Sequence, residues 1–479
     1  MTMISTTDRG VAPGGGRRRM ALIVLCFVQF MLVLDDNVVS VALPTIRDEL
    51  GFSHAGLPWV VNAYFLAFGG LLLLSGRIAD LIGRRRVFLC GVALFGAASA
   101  LCGFAQEPWQ LVAGRFIQGA GAAMASPAAL ALLTLLFPGA GERAKAIGIW
   151  GGVAALGGSL GLVISGVLTG LTSWRWVFLI NLPVALMALV LVPRLVAESR
   201  AASHRRIDVP GAVLITGALM LLVHGLLQAS ETGWGHMAST IPLVLAAVLA
   251  VVFAAVETRT AEPLVPLSFV TVRPRAVANG VILLFSAAFY AMAFLLMLHI
   301  QTVLGYEPLI TGLAYLPFGA AILAGMWLSS RAVLRLGTRP ALVVALLISS
   351  AGLFLLSGVG PYDSYVSGVL PALLVTALGC GLSLPALTVV ALSGTTEEDA
   401  GLGSAVLGSV QQLGGAVGIA VLVTLAAHRA DTSDASLDQR QAATEGFSYA
   451  LTVAGVLVAV GAVLVATLLR DRPKARTAA

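Results

Sequence analysis

The apolar residues of this chain come in runs of about 20 or more, separated by short polar or basic segments. A run of that length crosses the hydrocarbon core of a bilayer as a helix, because a helix satisfies its backbone hydrogen bonds internally. Only 11% of the 479 residues are charged, against about 25% in ordinary soluble domains. The sequence therefore predicts an all-α integral membrane protein and excludes a soluble enzyme.

Fourteen such runs can be counted, and we number them spans 1 to 14 in chain order. The first run is too long for a signal-peptide core and lacks a small-residue cleavage site, so we expect it to be retained. The predicted spans cover residues 20–44, 57–76, 87–105, 109–137, 146–170, 176–196, 210–229, 237–257, 276–304, 309–330, 340–359, 366–393, 401–427 and 447–469.

The basic residues predict the orientation of these spans. Cytoplasmic loops of membrane proteins carry an excess of arginine and lysine. Placing both termini in the cytoplasm puts 24 of the 29 basic residues on that side. Arg115 lies within span 4, and the remaining four are Arg47, Arg175, Arg429 and Arg440. The excess of arginine over lysine, with abundant alanine and glycine, suggests a GC-rich bacterial genome. We therefore predict the inner, cytoplasmic membrane of a bacterium.

A faint internal repeat predicts the domain organisation. Gly83 and Gly337 align at an offset of 254 residues, and so do Gly161 and Gly415. This favours two six-helix halves with two helices inserted between them, although chance matching among 53 glycines is an alternative. The predicted segments are an N-terminal tail, a first half, the inserted spans with linkers, a second half and a C-terminal tail, at 1–19, 20–196, 197–275, 276–469 and 470–479.

Three charged residues stand well inside the predicted spans, where each costs about 2.5–3.5 kcal/mol. They are Asp35 and Asp36 in span 1 and Arg115 in span 4. At 1.5 Å per residue, Asp35 lies about 13 Å and Arg115 about 9 Å from the outer end of its helix. We predict that the two face one water-filled cavity, where Arg115 favours the ionised carboxylate and low-dielectric burial opposes it. Proton coupling is one interpretation; a permanent structural ion pair is the other.

Further polar residues are candidates for substrate contact. Asp36 either attracts a cationic substrate or faces water at the outer side. Hydrogen bonds that pack helices together explain most polar residues in membrane spans, and for His299 a satisfied buried histidine is the alternative. The other candidates are Asn37, Asn62, Tyr64, Gln118, His299 and Gln301.

Glycines are concentrated in spans 5 and 13, including Gly157, Gly161, Gly166, Gly414 and Gly415. Small residues let helix backbones approach closely. We therefore expect spans 5 and 13 to meet across the halves and to slide or rock. Static tight packing is the alternative.

No motif for a cofactor or a metal is found. The four cysteines form no CxxC or His/Cys cluster, and neither lysine lies in a GxxxxGK[ST] phosphate loop. The net charge of +6 comes from arginines between apolar runs, which membrane orientation requires. We therefore expect a lipid bilayer as surroundings and neither a cofactor nor a nucleic acid as partner.

Three motifs carry a family resemblance. They are Leu34–Pro44 in span 1, LDDNVVSVALP; Gly76–Arg86 after span 2, GRIADLIGRRR; and Leu111–Ala123 in span 4, LVAGRFIQGAGAA. The chain resembles the major facilitator superfamily, specifically its fourteen-span drug/proton antiporters. It departs from the family's motifs at Asn37, Ser40, Leu162 and Ser165.

The resemblance implies roles for charged residues. Asp35 would be the coupling carboxylate. A cytoplasmic gate would latch the halves together and bias the outward-open state. Its residues would be Gly76, Asp80, Gly83, Arg84 and Arg85, with Glu142 and Arg143 as partners.

The sequence therefore predicts a monomeric antiporter that exports lipophilic or cationic drugs in exchange for protons, by alternating access around a midplane cavity. One alternative is an importer or metabolite carrier on the same scaffold. A membrane sensor that transports nothing is the other.

Overall fold

The computed structural model of the protein describes residues 15–53, 56–137, 139–199, 208–260, 263, 271–393, 400–432 and 438–469. Most of the predicted N-terminal tail, the C-terminal tail and parts of the linkers around spans 7 and 8 lie outside these residues. The described chain is helical and contains no strand. Fourteen of its helical segments are long and apolar enough to cross a membrane. The predicted all-α fold with fourteen spans is confirmed.

Spans 1 to 5 are single helices, span 6 is two helices that meet at Ile180, and spans 7 and 8 are single helices. Their bounds are Gly15–Leu50, Trp59–Ile82, Arg84–Gly103, Pro108–Leu136, Ala140–Leu171, Trp176–Leu179 with Asn181–Leu195, Val209–Thr232 and Met237–Arg259.

Span 9 ends in a π-helical turn, span 10 is interrupted at Tyr315, and span 12 begins with a π-helical turn. The bounds of spans 9 to 14 are Arg273–Leu298 with His299–Val303, Pro308–Ala314 with Leu316–Leu336, Thr338–Ser357, Tyr365–Val369 with Leu370–Ala391, Ala400–Asp431 and Gln439–Leu468.

Several helices extend beyond the predicted spans. Span 1 continues through Pro44 to Leu50, and span 5 begins at Ala140 instead of residue 146. Hydropathy marks only the apolar part of a helix, whereas the backbone hydrogen bonds continue into the polar segment that follows. The predicted spans are therefore shorter than the helices.

Two glycines turn the chain at related positions. Gly83 joins spans 2 and 3 with φ of 127°, and Gly337 joins spans 10 and 11 with φ of 88°. Positive φ is readily adopted only by glycine. The two positions paired by the 254-residue offset therefore have the same type of connection.

The first six spans pack mainly among themselves, as do the last six. Spans 7 and 8 pack on each other, and span 7 also contacts span 2 and span 13. For example, Thr424 Oγ1 in span 13 donates a hydrogen bond to the Leu226 carbonyl in span 7 over 3.1 Å. The inserted pair therefore lies beside the seam between the two halves.

We call the end of the bundle where span 1 begins the basic face, since it carries Arg84, Arg85, Arg86, Arg194 and Arg335. We call the other end, with Glu49 and Trp174, the opposite face.

The two halves touch towards the opposite face. Gln301 Nε2 in span 9 donates to the Val41 carbonyl in span 1 over 2.9 Å. A Cβ added at Gly166 in span 5 would lie 2.6 Å from the Pro308 carbonyl oxygen in span 10. The backbones of spans 5 and 10 are therefore in direct contact at this end.

Spans 2 and 13 also join the halves, nearer the middle of the bundle. Span 2 contacts span 13 at mid-depth, where a Cβ at Gly69 would lie 3.0 Å from the Gln412 Cβ. Nearer the basic face, a Cβ at Gly76 in span 2, or at Gly148 or Gly151 in span 5, would meet no atom within 4 Å. In the described part of the chain the halves are thus in contact at the opposite face and at mid-depth, and these three glycines near the basic face have open space beside them.

Candidate functional site

Asp35 lies at the centre of a buried hydrogen-bond network in the first half. Its side chain is fully buried and accepts hydrogen bonds from two other spans. Arg115 Nη1 in span 4 donates to Oδ2 over 2.6 Å. Gln118 Nε2, one turn further along span 4, donates to Oδ1 over 2.7 Å, and Asn181 Nδ2 in span 6 donates to the same oxygen over 2.8 Å. Both carboxylate oxygens therefore face N–H donors.

Arg115 is held from several sides. Its Nε donates to the Val60 carbonyl over 2.9 Å, and its Nη1 also donates to Gln118 Oε1 over 2.8 Å. The guanidinium carbon lies 4.3 Å from the centre of the Tyr64 ring, in a cation–π contact. Nη2 is buried and has no partner among the described residues. The Arg115 guanidinium is therefore held by several contacts, while both N–H groups of Nη2 have no partner among the described residues.

Ser99 and Asn181 belong to this network and are absent from the sequence prediction. Ser99 Oγ in span 3 accepts from Gln118 Nε2 over 2.8 Å and from Asn181 Nδ2 over 3.3 Å. Asn181 is the only amide side chain in the apolar segment of span 6, and for that reason it could have been identified from the sequence as a candidate site residue. Ser99 gives no signal, since serine is common in membrane helices.

Asp36 faces the seam between the halves instead of the Arg115 network. Its carboxyl group lies beside the Tyr290 hydroxyl of span 9 and the Gln412 amide of span 13. Asp36 Oδ1, Gln412 Oε1 and the Tyr64 hydroxyl are buried and have no hydrogen-bond partner among the described residues. Both polar atoms of Asn62, which is fully buried, are also unpartnered there. Polar groups from both halves therefore meet here with spare hydrogen-bonding capacity.

Asn37 and Gln301 make other contacts. Asn37 Nδ2 donates to the Val33 carbonyl of its own helix over 2.9 Å, and a Cβ at Gly161 would lie 3.3 Å from the Asn37 Cβ. Gln301 contributes to the closure of the halves towards the opposite face through its bond to Val41. The predicted substrate contacts of Asn37 and Gln301 stay predictions.

His299 is separate from the Asp35 network. Its ring is buried and stacks on Phe447 of span 14, with a centroid distance of 4.4 Å and an interplanar angle of 19°. Neither ring nitrogen has a partner among the described residues. The structure therefore places His299 between spans 9 and 14 and does not bring it to Asp35 or Arg115.

The predicted gate residues pair within the first half. Arg84 donates to Asp80 Oδ1 over 2.9 Å, one helical turn away. The Arg85 backbone N–H donates to Glu198 Oε1 over 3.1 Å, at the end of span 6. A Cβ at Gly83 would lie 2.6 Å from the same Glu198 oxygen. Glu198 is a further residue that the sequence analysis did not identify.

The remaining gate candidates lie near the basic face. Gly76 faces open space. Glu142 is exposed in the first turn of span 5, and Arg143 Nε donates to the Phe137 carbonyl over 3.3 Å. The expected latch between the halves therefore stays a prediction.

Two of the predicted packing glycines in span 5 contact span 1. A Cβ at Gly157 would lie 3.2 Å from the Phe30 carbonyl oxygen, and one at Gly161 would lie 3.2 Å from the Leu34 carbonyl oxygen. These contacts hold span 5 against the helix that carries Asp35.

The glycines of span 13 contact spans 9 and 2. A Cβ at Gly414 would lie 2.8 Å from the Leu283 carbonyl oxygen, and one at Gly415 would lie 3.1 Å from Phe65. The expectation that spans 5 and 13 meet is therefore corrected: span 5 meets span 10, and span 13 meets span 2. A pseudo-twofold relation between the halves explains this, because it exchanges span 5 with span 13 and span 2 with span 10.

The described residues contain no candidate metal-binding site. No group of three or more His, Cys, Asp or Glu side chains there is arranged to hold a metal ion. The cysteines are free thiols at Cys26, Cys90, Cys102 and Cys380.

Comparison with protein families gives a match over residues 25–419 to the family model described as Major Facilitator Superfamily. The chain is 38% identical over 467 residues to the puromycin resistance protein pur8 of Streptomyces alboniger, covering 96% of this chain and 93% of that protein. It is 40% identical over 413 residues to the lincomycin resistance protein of Streptomyces lincolnensis, covering 85% and 84%. It is 38% identical over 421 residues to the cephamycin export protein CmcT of Amycolatopsis lactamdurans, covering 87% of each.

Among solved structures, the fold is similar to a bacterial homologue of the human lysosomal transporter Spinster, in an inward-facing and unoccupied conformation. The TM-score is 0.70 at 16% sequence identity, covering 97% of this chain and 100% of that chain.

Proposed function

The chain belongs to the Major Facilitator Superfamily, and on that premise we propose that it is a proton-coupled antiporter exporting lipophilic or cationic antibiotics. Membership of this transporter family indicates a multi-pass membrane transporter rather than an enzyme. The three relatives, which are 38–40% identical over most of this chain, are named for antibiotic resistance or export. Both of the halves that line the seam belong to one chain, so we propose that a monomer is sufficient for transport.

The proposal depends on the buried Asp35 carboxylate. A neutral carboxyl group carries one O–H donor and has lost the negative charge that its N–H partners bind, although its oxygens keep some acceptor capacity. Arg115, Gln118 and Asn181 present N–H donors to Asp35, and Oδ1 already accepts from both Gln118 and Asn181. A proton on Asp35 therefore weakens the charge-assisted bond to Arg115 or displaces one of the two bonds at Oδ1. Protonation of Asp35 therefore loosens span 1 from span 4 or span 6.

This rearrangement supplies a coupling step for alternating access. In this structure the halves are in contact at the opposite face through Gly166 and Gln301, whereas Gly76 and Gly148 near the basic face have open space beside them. We infer that a change in the Asp35 network lets the two halves rock about the seam between them. Substrate bound near Asp36 then becomes accessible from the other side of the membrane. The Asp80, Arg84 and Arg85 side chains would then approach the second half and act as the gate.

The orientation follows from charge. The basic face carries most of the arginines between spans, and such positive segments remain in the cytoplasm. We propose that both termini are cytoplasmic and that the membrane is the bacterial inner membrane. The present state is then inward-open, ready to take substrate from the cytoplasm or the inner leaflet.

The experiment uses everted membrane vesicles with an imposed pH difference, comparing the native chain with Asp35→Asn. Asp48→Asn is the matched control, because the Asp48 side chain is 68% exposed and is outside the network. We expect uphill accumulation of a fluorescent lipophilic drug in vesicles with the native chain and with Asp48→Asn, and none with Asp35→Asn at equal expression. Uphill accumulation by Asp35→Asn would overturn the coupling site, and inward-directed drug uptake by intact cells would favour an importer.

A further inference from the structure

Two arginines from different spans meet on the outer surface of the first half, at the basic face. Arg17 lies in the first turn of span 1 and Arg194 in the last turn of span 6, and these two spans pack on each other. Arg17 Nη2 donates a hydrogen bond to the Arg194 backbone carbonyl. Arg194 Nη1 donates to the Val190 carbonyl of its own helix. Both side chains are exposed, and the carbonyls that they contact are one helical turn apart, about 6 Å along span 6.

A stripe of exposed apolar side chains runs from each arginine towards the middle of the bundle. From Arg17 to the last residue of the span 1 stripe is about 15 Å of helix, which is the depth of one leaflet in a hydrocarbon core about 30 Å thick. The stripe residues are each between 47% and 61% exposed, and they are Met20, Ile23 and Phe27 on span 1 and Leu186 and Val190 on span 6.

Both stripes point away from the interior of the protein. Phe27 precedes Asp36 by nine residues, which is about half a turn around the helix, so it faces away from the seam. Val190 follows Asn181 by nine residues and is likewise about half a turn from the side chain that donates to Asp35. The surface between the two stripes, which we call the span 1–6 surface, therefore faces lipid.

No described carboxylate compensates the charge of the two arginines. Glu198, four residues after Arg194, has its Oε2 atom 3.8 Å from the Nε atoms of both Arg85 and Arg86. Arg17 and Arg194 form no ion pair among the described residues. A guanidinium group has five N–H donors, and each of these two makes a single described bond, to a backbone carbonyl. Their remaining donors match an anion with several acceptor oxygens, such as a phosphate.

We propose that Arg17 and Arg194 bind the phosphate of an anionic phospholipid whose acyl chains lie along the span 1–6 surface. Basic pockets between membrane helices bind headgroups of this kind. Two guanidinium groups repel the ammonium of a zwitterionic headgroup, so the site prefers an anionic lipid. A free phosphate could use the arginines alone, whereas a phospholipid also covers the apolar stripes. The bound lipid bridges span 1 and span 6, the same two spans that the bond between Asp35 and Asn181 joins inside the bundle.

The test is native mass spectrometry of the full chain in detergent, titrated with phosphatidylglycerol or phosphatidylethanolamine that carry the same palmitoyl and oleoyl chains. We expect the native chain to bind the first phosphatidylglycerol at least fivefold more tightly than the first phosphatidylethanolamine. Arg17→Gln with Arg194→Gln should abolish this preference, whereas Arg17→Lys with Arg194→Lys, which keeps both charges, should retain most of it. Arg331→Gln with Arg335→Gln is the matched control, because it removes two exposed arginines from span 10 near the same face, and it should change the preference by less than twofold.

Three results would each overturn the site: equal affinity of the native chain for the two lipids, an unchanged preference after both glutamine substitutions at Arg17 and Arg194, or an equal loss in the control. Glycerol 3-phosphate in excess should not displace phosphatidylglycerol, and displacement would assign the arginines to a soluble phosphate instead. If the glutamine variant unfolds in detergent, Ile23→Ser with Val190→Ser gives a second measurement, since it keeps both arginines. This variant should bind phosphatidylglycerol at least threefold more weakly, and native affinity would show that the stripes hold no acyl chain.

Discussion

Arg115 Nη1 donates a hydrogen bond to Asp35 Oδ2 over 2.6 Å, between span 4 and span 1, and both side chains are fully buried. The residues are 80 positions apart in the chain. Removing one partner of a buried ion pair leaves the other charge without compensation, which is more costly than removing both.

We therefore expect Arg115→Ala to lower the thermal unfolding midpoint in detergent strongly, corresponding to about 3–5 kcal/mol. The double variant Asp35→Asn with Arg115→Gln should be more stable than Arg115→Ala, although it should not transport. Differential scanning fluorimetry measures the midpoints. Equal midpoints for Arg115→Ala and the native chain would show that the pair is not structurally coupled.

Asn181 is the residue whose role depends most on the tertiary structure. Asn181→Leu removes a donor to the Asp35 carboxylate, a bond of about 1.5–3 kcal/mol when one partner is charged. We expect proton-driven transport to fall about tenfold or more, since about 1.4 kcal/mol corresponds to a factor of ten. Thr376→Val is the comparison, because the buried Thr376 Oγ1 donates to the Ala372 carbonyl within its own helix. A native transport rate in Asn181→Leu would contradict the assignment.

The contact between spans 5 and 10 can be locked. A Cβ at Gly170 would lie 3.1 Å from the Leu309 Cβ, close to the separation that a disulfide spans. In a Cys90→Ser background, Gly170→Cys with Leu309→Cys should cross-link on oxidation and stop transport until a reductant is added. Gly152→Cys with Leu309→Cys should not cross-link, because a Cβ at Gly152 meets nothing within 4 Å. If the oxidised variant with Gly170→Cys and Leu309→Cys transports at the native rate, the contact between spans 5 and 10 does not open during transport.

The turn between spans 2 and 3 requires glycine. Gly83→Ala places a side chain at φ of 127° and within 2.6 Å of Glu198 Oε1, and strain of this kind costs about 1–3 kcal/mol. We expect a lower unfolding midpoint and reduced transport. Gly76→Ala lies within a helix with open space around it, so its midpoint should be unchanged or slightly raised. Similar midpoints for the two variants would refute the tight contact with Glu198.

Asp438 caps the N-terminus of the span 14 helix, and we expect the stability of this cap to depend on pH. The Gln441 backbone N–H and the Tyr362 hydroxyl donate to its carboxylate over 2.7 Å and 2.8 Å, and the Gln441 bond is the main reason that the pKa of Asp438 lies below its usual value of 3.8. A lowered pKa means that the stabilisation is complete above the unfolded pKa and is lost as the pH falls through the folded pKa.

Hydrogen exchange of the Gln441 amide, corrected for its intrinsic rate, should therefore show less protection at pH 3 than at pH 6 in the native chain. Asp438→Asn, which cannot titrate, should show no such difference between these two pH values. The same pH response in both proteins would assign the change to a different group.

The sequence by itself determined the membrane-spanning class and the positions of the key charges along the chain. A carboxylate or guanidinium in the middle of an apolar run is costly, so Asp35, Asp36 and Arg115 are visible from residue type and depth alone. Depth follows from counting residues along a helix of constant rise. This is why the levels of Asp35 and Arg115 could be matched without coordinates.

Only the tertiary structure decided how each helix is rotated and which helices are neighbours. Spans that are apolar on all sides have no amphipathic pattern to fix their rotation, so the meeting of Ser99 and Asn181 at Asp35 could not be read from the chain. For the same reason the packing of His299 on Phe447 could not be read from the chain, and its predicted substrate contact stays a prediction. The pairing of span 5 with span 10, instead of span 13, follows from the symmetry of the assembled halves, which is a property of packing between segments far apart in sequence.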